Sequence, residues 1–230
     1  MKRVVETEWL DDLAADDPGA MGSRRDLDRL NRVMGHAGML GELLEAGLGR
    51  RPLKRMVELG AGDGRLALGV AERLAAKWPG VEVTLVDCKK VMSEETRGRF
   101  TALGWNANAV QADVFDWLRD PGGEMADAMV ANLFLHHFET ESLAKLLKLA
   151  AGRTRVFVAC EPRRSSVPLM LSRMVGLIGC NAVTRHDAVL SVKAGFAGRE
   201  ISALWPEPTG WRIEERGWRL SHIFSATRNS

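Results

Sequence analysis

Residues 57–65 read Val57-Glu58-Leu59-Gly60-Ala61-Gly62-Asp63-Gly64-Arg65, with three glycines at alternate positions and two acids among them. A short apolar run precedes this stretch and a helix-like segment follows it. The pattern predicts a strand, a tight turn and a helix N-terminus, because glycine tolerates unusual backbone angles and lets a ligand approach bare N–H groups. The turn therefore marks a site for a small charged ligand.

The glycine spacing and the two acids indicate which ligand the turn binds. A dinucleotide loop spaces its glycines G-x-G-x-x-G, whereas Gly64 comes one residue early and Arg65 stands where the third glycine belongs. The carboxylates of Glu58 and Asp63 would repel a pyrophosphate, and no Gly-Lys-Ser/Thr triplet of a phosphate loop follows. S-adenosylmethionine carries a sulfonium and an ammonium group, so an acidic turn suits it.

Strands and helices alternate along the middle of the chain. The predicted strands are Met56–Leu59, Val81–Val86, Ala109–Gln111, Ala128–Leu133 and Arg155–Cys160. The predicted helices between them are Leu66–Trp78, Glu94–Leu103, Phe115–Arg119 and Ser142–Ala151. This α/β order predicts a parallel sheet with helices on both faces, and ligands at the carboxyl ends of its strands.

The flanks of this middle part read differently, although we expect residues 1–230 to form a single domain. We expect residues 1–50 to form a helical cap and residues 52–162 to form the cofactor-binding core. Residues 163–208 are expected to form a helical acceptor-binding insert, and residues 209–230 to form two closing strands. The closing strands are Trp211–Glu215 and Ile223–Thr227, joined at Arg216-Gly217. In the insert, helices are expected at Val167–Ile178, Ala188–Phe196 and Glu200–Leu204.

The first helix of the insert, Val167–Ile178, is apolar nearly all round apart from Arg173. That distribution predicts a buried helix. A methionine-lined wall for an apolar acceptor is the functional alternative.

Composition excludes several classes of protein. The chain has 46% hydrophobic and 27% charged residues, and 32 basic against 30 acidic side chains leave a formal charge of +2. This balance argues against a dedicated nucleic-acid binder. Three scattered cysteines predict neither a disulfide framework nor a zinc cluster and suit the cytoplasm. We expect no signal peptide and no membrane span, whereas the oligomeric state is not predicted.

Residues 52–162 resemble the class I S-adenosylmethionine-dependent methyltransferases in the order and spacing of four motifs. The motifs are Glu58–Gly64, Val81–Asp87, Val110–Phe115 and Ala128–Phe138. The resemblance implies a Rossmann-like seven-stranded sheet whose last strand is antiparallel, and S-adenosylmethionine as the cofactor.

The resemblance also implies which residues bind the cofactor. It assigns the ribose hydroxyls to Asp87 and the adenine amino group to Asp113, with Val114 or Phe115 packing on the ring. Capping of a short helix is the alternative for Asp113. The full set is Glu58, Gly60, Ala61, Gly62, Gly64, Asp87, Cys88, Asp113, Val114, Phe115, Asn132, Leu133 and His137.

Histidines are the candidates for acid–base chemistry, since imidazole titrates near neutrality. His136 and His137 follow the fourth strand, where they could remove a proton or merely hold the loop. His186 in the insert is the third candidate. Its neighbour Asp187 is not expected to face it, and Thr184 with Asp187 reads as a capping box. No carboxylate or histidine cluster has the spacing of metal ligands, so no metal is predicted.

The Leu135–Phe138 run resembles the small-molecule methyltransferases of ubiquinone and menaquinone biosynthesis. The resemblance implies methyl transfer to a small aromatic or lipophilic acceptor, by O-methylation, with C-methylation left open. Two alternatives remain: a nicotinamide-dependent oxidoreductase, and a non-catalytic protein that binds the cofactor and acts as a partner.

Overall fold

The computed structural model describes residues 1–89, 92–120 and 122–229. They form one mixed seven-stranded sheet in the order β3-β2-β1-β4-β5-β7-β6. The strands are β1 Arg55–Leu59, β2 Glu82–Asp87, β3 Asn106–Gln111, β4 Ala126–Asn132, β5 Thr154–Pro162, β6 Trp211–Trp218 and β7 Ser221–Arg228. β7 is antiparallel to β5 and to β6, and the other pairs are parallel. The predicted methyltransferase sheet, with its antiparallel last strand, is confirmed.

The strand register brings the predicted site residues to one edge of the sheet. Leu59 at the end of β1 lies opposite Val86 of β2 and Ala131 of β4. Asn132 at the end of β4 lies opposite Cys160 of β5. Because parallel strands end at the same edge, the segments that follow β1, β2, β4 and β5 meet there.

Helices cover both faces of the sheet. They are α1 Trp9–Asp12, α2 Pro18–Met34, α3 His36–Leu48, α4 Arg65–Leu74, α5 Glu94–Ala102, α6 Val114–Arg119, α7 Thr140–Arg153, α8 Ser166–Ser172, α9 Ala182–Ala194 and α10 Glu200–Leu204. Short 3-10 helices span Leu135–His137, Val175–Ile178 and Pro208–Gly210. Two buried apolar clusters result, one beneath α3, α4 and α5, the other beneath α6, α7 and α10. None of the described helices has the length and apolar character that crossing a bilayer requires.

The helical cap is smaller than the predicted range 1–50. α3 belongs to the sheet layer, because Leu40 and Leu44 are fully buried in the same core cluster as residues of β1 and β5. α1 and α2 instead pack against α9 of the insert. The part of the cap that can lie over the sheet edge is therefore residues 1–34.

The insert differs from its prediction in two places and the closing strands in one. The helix predicted at Val167–Ile178 breaks after Ser172, and Gly179 ends the following 3-10 helix with φ of 80°. α9 begins at Ala182, capped by the Asn181 side chain, so Thr184 with Asp187 is not the predicted capping box. The closing hairpin turns at residues 219–220, after β6 has continued past Arg216-Gly217.

The apolar residues of the first insert helices are exposed, which contradicts the predicted buried helix. Leu177 is 80% exposed, and the other exposed apolar side chains of these helices include Val167, Met170, Met174 and Ile178. These side chains do not line the large cavity of the described residues, so they form no wall of an acceptor site there. The prediction failed because composition cannot distinguish a helix covered by a core from one left at the surface.

Candidate active site

The glycine turn after β1 adopts the backbone conformation that its sequence predicts. Gly60, Gly62 and Gly64 have φ of 67°, 51° and 76°. A Cβ at Gly60 would lie 2.1 Å from the Phe134 ring. One at Gly62 would meet nothing within 4 Å. Gly60 is therefore needed for close packing, whereas Gly62 faces open space where a ligand can reach the backbone.

The end of β2 holds this turn in place. The Gly60 and Ala61 amides donate to the Val86 carbonyl at 2.9 and 3.1 Å. The Gly62 amide donates to Oδ2 of Asp87 at 2.8 Å, and Oδ1 of Asp87 accepts from the Lys89 amide at 2.8 Å. Asp87 is thus fixed beside the glycine turn, at the edge where a ribose would lie.

Carboxylates converge beneath the turn. Glu58 is fully buried and accepts a hydrogen bond from the Ala67 amide at 3.3 Å. Burial, reinforced by the nearby charges of Asp63 and Asp87, raises the pKa of Glu58 well above its usual range. Burial also raises the pKa of Asp63, although that side chain pairs with Arg65 at 3.0 Å.

Among the described residues, neither Glu58 nor Asp87 has an ion-pair partner. A cation arriving here would oppose the raised pKa of Glu58, because an opposite charge favours the ionised form. The turn therefore fits a ligand that brings its own positive charge, and the ammonium and sulfonium groups of S-adenosylmethionine meet this requirement.

A cavity of about 830 Å³ opens along this edge. Its volume lies within the ~300–1,000 Å³ range of small-molecule sites. Residues 8–11, α2, the glycine turn, residues 87–89 and the segment after β4 form its walls. The predicted site residues that line it are Glu58, Gly60, Ala61, Gly62, Asp87, Cys88, Asn132, Leu133, His136 and His137.

Five predicted site residues are not among those lining the cavity: Gly64, Asp113, Val114, Phe115 and His186. Oδ1 of Asp113 accepts from the amides of Phe115 and Asp116, at 2.8 and 3.2 Å, and so caps α6. In the structure, the Asp113 side chain therefore has the helix-capping role that was the alternative to adenine binding. Its contact with adenine stays a prediction.

Two amide side chains of the cavity lining have a buried acceptor atom without a hydrogen-bond partner. Oδ1 of Asn132, at the end of β4, and Oδ1 of Asn31, on α2, are both buried without a hydrogen-bond partner. A buried acceptor without a partner costs about 1–3 kcal/mol, so both atoms suit a ligand that donates hydrogen bonds. Leu133 follows Asn132 with φ of 51°, a conformation that a branched residue adopts only under constraint.

Glu161 constrains that segment. This fully buried carboxylate, at the end of β5, accepts from the amides of Phe134 and Leu135 through Oε1, at 3.1 and 2.9 Å. Its Oε2 accepts from Nδ1 of His136 at 2.8 Å. The segment after β4 is therefore fixed in place before any ligand binds.

His136 does not fit the predicted role of a general base. It is buried, and while Nδ1 bonds Glu161, Nε2 donates to Oε1 of Glu8 at 3.3 Å. Burial alone lowers the pKa of His136, but the hydrogen bonds to Glu161 and Glu8 outweigh that and raise it to about 9. An imidazolium with both N–H groups engaged has no lone pair to accept a proton.

Of the two neighbouring histidines, His137 is better placed than His136 to accept a proton from a ligand. Its ring is partly exposed to the cavity, and Nδ1 lies 3.1 Å from Oδ2 of Asp11. This contact fixes the tautomer that leaves Nε2 as the acceptor, as a carboxylate does for a catalytic histidine. Among the described residues, Nε2 of His137 has no hydrogen-bond partner, so it is free to face a ligand.

His186 acts elsewhere. Its ring stacks on Trp9 with centroids 3.8 Å apart, and Nδ1 bonds Oδ1 of Asp187 at 2.8 Å. The expectation that these neighbours do not face each other is wrong, because their side chains are in direct contact. Asp187 also accepts from the amides of Trp9 and Leu10. His186 and Asp187 therefore hold α1 rather than a substrate.

Residues 1–13 form an N-terminal strap that lies across the sheet edge. Nζ of Lys89 donates to the carbonyls of Leu10, Asp11 and Leu13 at 3.0, 2.8 and 2.7 Å. At its other end, Nη2 of Arg3 donates to the carbonyls of His136 and Phe138. The strap thus closes the cavity above the segment after β4 and supplies Glu8 and Asp11.

Sequence reasoning missed Glu8, Asp11, Lys89 and Glu161. Glu161 had a usable signal, since an acid that ends a strand next to β4 belongs at the same edge of the sheet. Glu8 and Asp11 had none, because they lie more than 120 residues from the histidines they contact.

Comparison with known proteins agrees with this geometry. A family model described as a methyltransferase domain matches residues 56–155. A trans-aconitate 2-methyltransferase of Paracidovorax citrulli (strain AAC00-1) is 37% identical over 91 residues, which are 38% of this chain and 32% of that protein.

Solved structures share the fold at low identity. An O-methyltransferase family protein from Burkholderia thailandensis has a TM-score of 0.64 at 17% identity, with 94% of this chain and 62% of that chain covered. Magnesium protoporphyrin IX methyltransferase from Synechocystis PCC 6803, with bound S-adenosylmethionine, has a TM-score of 0.54 at 15% identity. The match covers 96% of this chain and 88% of that chain. The chain spans about a third of the curated relative and under two thirds of the first of these structures.

Proposed function

Because residues 56–155 are a methyltransferase domain of the class I S-adenosylmethionine-dependent family, we propose that this chain methylates an oxygen atom of a small molecule bound beside His137. One observation carries the proposal. The glycine turn is open at Gly62 and lies beside two acids, the buried Glu58 and the partly exposed Asp87, that lack an ion-pair partner among the described residues. A cationic cofactor with a ribose satisfies both features.

The bound cofactor supplies an electrophilic methyl group on a sulfonium sulfur. The Gly62 backbone leaves room for its methionine part, and Asp87 accepts from its ribose hydroxyls. Asn132 and the constrained Leu133 direct the acceptor towards the methyl carbon. Holding reactants in line supplies up to ~7–11 kcal/mol of the barrier to a bimolecular transfer, so positioning is the main contribution of these residues.

Proton removal falls to His137. As the acceptor oxygen bonds to the methyl carbon, the bond from that carbon to the sulfonium sulfur would break and release S-adenosylhomocysteine, while Nε2 of His137 takes the hydroxyl proton. Asp11, 3.1 Å from Nδ1, stabilises the imidazolium that results. Such assistance typically contributes about 10²–10⁴-fold to the rate. C-methylation of an activated carbon stays the alternative, and it uses the same arrangement.

The acceptor is proposed to be small, with an aromatic or lipophilic part. Leu10, Leu27 and Phe134 line the cavity and support this part of the proposal. The exposed helices at 167–178 no longer support it. The proposal includes no nucleic-acid or membrane partner, and a cytoplasmic location remains an expectation.

Binding is tested first. S-adenosylhomocysteine at 100 times its Kd is expected to stabilise the protein by about 2.7 kcal/mol in a thermal-shift assay, because it binds only the folded state. Asp87→Asn should reduce that stabilisation, whereas Asp116→Asn, at an exposed site outside the cavity, should not. Stabilisation by NAD and not by S-adenosylhomocysteine would support the oxidoreductase alternative instead.

Catalysis is tested separately, by methyl transfer to a panel of hydroxylated small molecules. His137→Ala should lower the rate about 10²–10⁴-fold while the cofactor still binds. Asp116→Asn, at an exposed site outside the cavity, should transfer methyl groups at the wild-type rate. Cofactor binding without transfer to any acceptor would favour the non-catalytic partner protein.

A further inference from the structure

Three side chains that are far apart or unremarkable in sequence spacing lie close together in the cavity wall. Glu8 from the strap and His136 and His137 from the segment after β4 each offer one ligand atom, and these atoms all lie within 4.8 Å of one another. Two imidazoles and one carboxylate are the donor set of catalytic zinc sites and of non-haem iron(II) sites with open positions.

Each histidine of the cluster is oriented by its own carboxylate. Nδ1 of His136 bonds Oε2 of Glu161 at 2.8 Å, and Nδ1 of His137 lies 3.1 Å from Oδ2 of Asp11. Metal-binding histidines almost always bond a carboxylate or carbonyl through the nitrogen that does not touch the metal. Both rings therefore turn Nε2 away from these carboxylates, and an ion bound there would displace the proton that Nε2 of His136 donates to Glu8.

The third ligand is oriented as well. Oε1 of Glu8 accepts from the hydroxyl of Ser191, on α9. It lies 3.3 Å from Nε2 of His136. Two ligands at the usual 2.0–2.1 Å from a tetrahedral ion are about 3.3 Å apart. The free protein thus already holds this pair at the spacing that one shared ion would impose.

We propose that Glu8, His136 and His137 bind one divalent transition-metal ion of the zinc or iron(II) class. The donor set disfavours Mg²⁺ and Ca²⁺, which prefer oxygen ligands. Because the three side chains line the cavity, the positions of the ion that they leave open face the space where an acceptor would bind.

A role for the ion in methyl transfer rests on the proposed function. There the ion would bind the acceptor oxygen and lower the pKa of its hydroxyl, so that His137 would serve as a ligand instead of a base. Both routes require His137, so loss of transfer in His137→Ala does not separate them. Direct metal binding does, and it needs neither cofactor nor acceptor.

The test uses the full chain, freed of metal with a chelator and dialysed. Zn²⁺ titration followed by calorimetry should show one ion per chain, and Co²⁺ should give the visible absorption bands of a low-coordinate site. Glu8→Gln and His137→Ala should each weaken Zn²⁺ binding at least tenfold. Asp11→Asn, which removes only the partner of His137, should weaken it about 10–100-fold.

Asp116→Asn is the control, because it also removes a carboxylate charge but at an exposed site of α6, outside the cluster and the strap. It should bind Zn²⁺ as the wild-type chain does. Circular dichroism would verify that each variant folds, and both His137→Ala and Asp11→Asn change partly exposed side chains, which favours folding. No Zn²⁺ bound at millimolar concentration, or binding unchanged in Glu8→Gln and His137→Ala alike, would overturn the proposal.

Discussion

At the scale of single residues, Gly60 and Gly62 of the same turn have different roles. Gly60 has the Phe134 ring directly above it, whereas Gly62 has free space above it. Both have positive φ, so an alanine at either position adds roughly 1–2 kcal/mol of backbone strain. Only at Gly60 does a steric clash in the free protein add to that strain.

Gly60→Ala is therefore expected to destabilise the free protein by about 2–5 kcal/mol, from strain together with overpacking. Gly62→Ala should cost only the strain but weaken S-adenosylhomocysteine binding about 5- to 150-fold, because the new methyl group occupies ligand space. Urea unfolding and calorimetric titration measure the two effects. Gly104→Ala, with φ of 73° and nothing nearby, controls for strain and should bind the ligand normally.

His36 is one residue through which acid should lower the free energy of unfolding. Burial lowers its pKa to about 4, against the smaller opposing effects of the Asn132 side chain and Glu161. Its Nε2 lies 2.8 Å from the hydroxyl of Ser221. Since the native state disfavours the charged ring, the unfolded chain takes up a proton at a higher pH than the folded one does.

His36 should consequently contribute stability above pH 6.5 that is lost as the pH falls towards 4. The loss should reach about 3 kcal/mol, at 1.36 kcal/mol per pKa unit. Urea unfolding between pH 4 and 8 measures it, with His36→Gln as the neutral comparison. If the wild type and His36→Gln lose stability in parallel as the pH falls, the assignment to His36 is wrong.

At the scale of elements, the helices at 167–178 are attached to the molecule through few of their side chains. Pro168 and Ser172 are buried in α8, whereas Val167, Met170 and Leu177 are more than half exposed. Single apolar side chains at a surface contribute little, so their removal should leave the fold unaffected.

Leu177→Ser is expected to change the free energy of unfolding by less than about 0.5 kcal/mol, because the side chain makes little buried contact. Leu146→Ala, in the fully buried face of α7, should cost about 2–5 kcal/mol. Chemical denaturation of both variants measures the contrast. A cost above about 2 kcal/mol for Leu177→Ser would show that another surface covers this element in solution.

The sheet could be predicted from local patterns, because each of its signals lies within a short window. The residue patterns of the strands and of the turn at Gly60–Gly64 depend on neighbouring residues in the sequence. The register of the parallel strands then brings the motifs together at one edge of the sheet. The strap could not be predicted in this way. Its bonds to Lys89 and His136 join residues 76 or more positions apart, and such pairings leave no local pattern.

The same limit applies to the candidate histidines. Their positions after β4 followed from the sequence, but their roles depend on Glu161, Glu8 and Asp11, which come from two other parts of the chain. Sequence alone treated His136 and His137 as equivalent. The structure separates them, because one ring is buried between two carboxylates and the other faces the cavity.

At the scale of the whole molecule, Lys89 connects the strap to the sheet edge where the cofactor is proposed to bind. Its backbone amide donates to Asp87, the proposed ribose ligand, and its ammonium group binds three carbonyls of the strap. Fixing Asp87 therefore also fixes the residue that clamps residues 10–13. Ligand binding at the glycine turn and order in the strap should be coupled, each favouring the other by the same free energy.

S-adenosylhomocysteine at 100 times its Kd is expected to slow hydrogen exchange of the strap amides by up to about 100-fold, the equivalent of 2.7 kcal/mol. Lys89→Met should still bind the ligand but lose most of this protection, because the clamp carries the coupling. Lys77→Met, which removes an exposed ion pair with Glu45 on α3, should keep it. Hydrogen-exchange mass spectrometry resolves the strap peptides, and protection that persists in Lys89→Met would mean that the ligand contacts the strap directly.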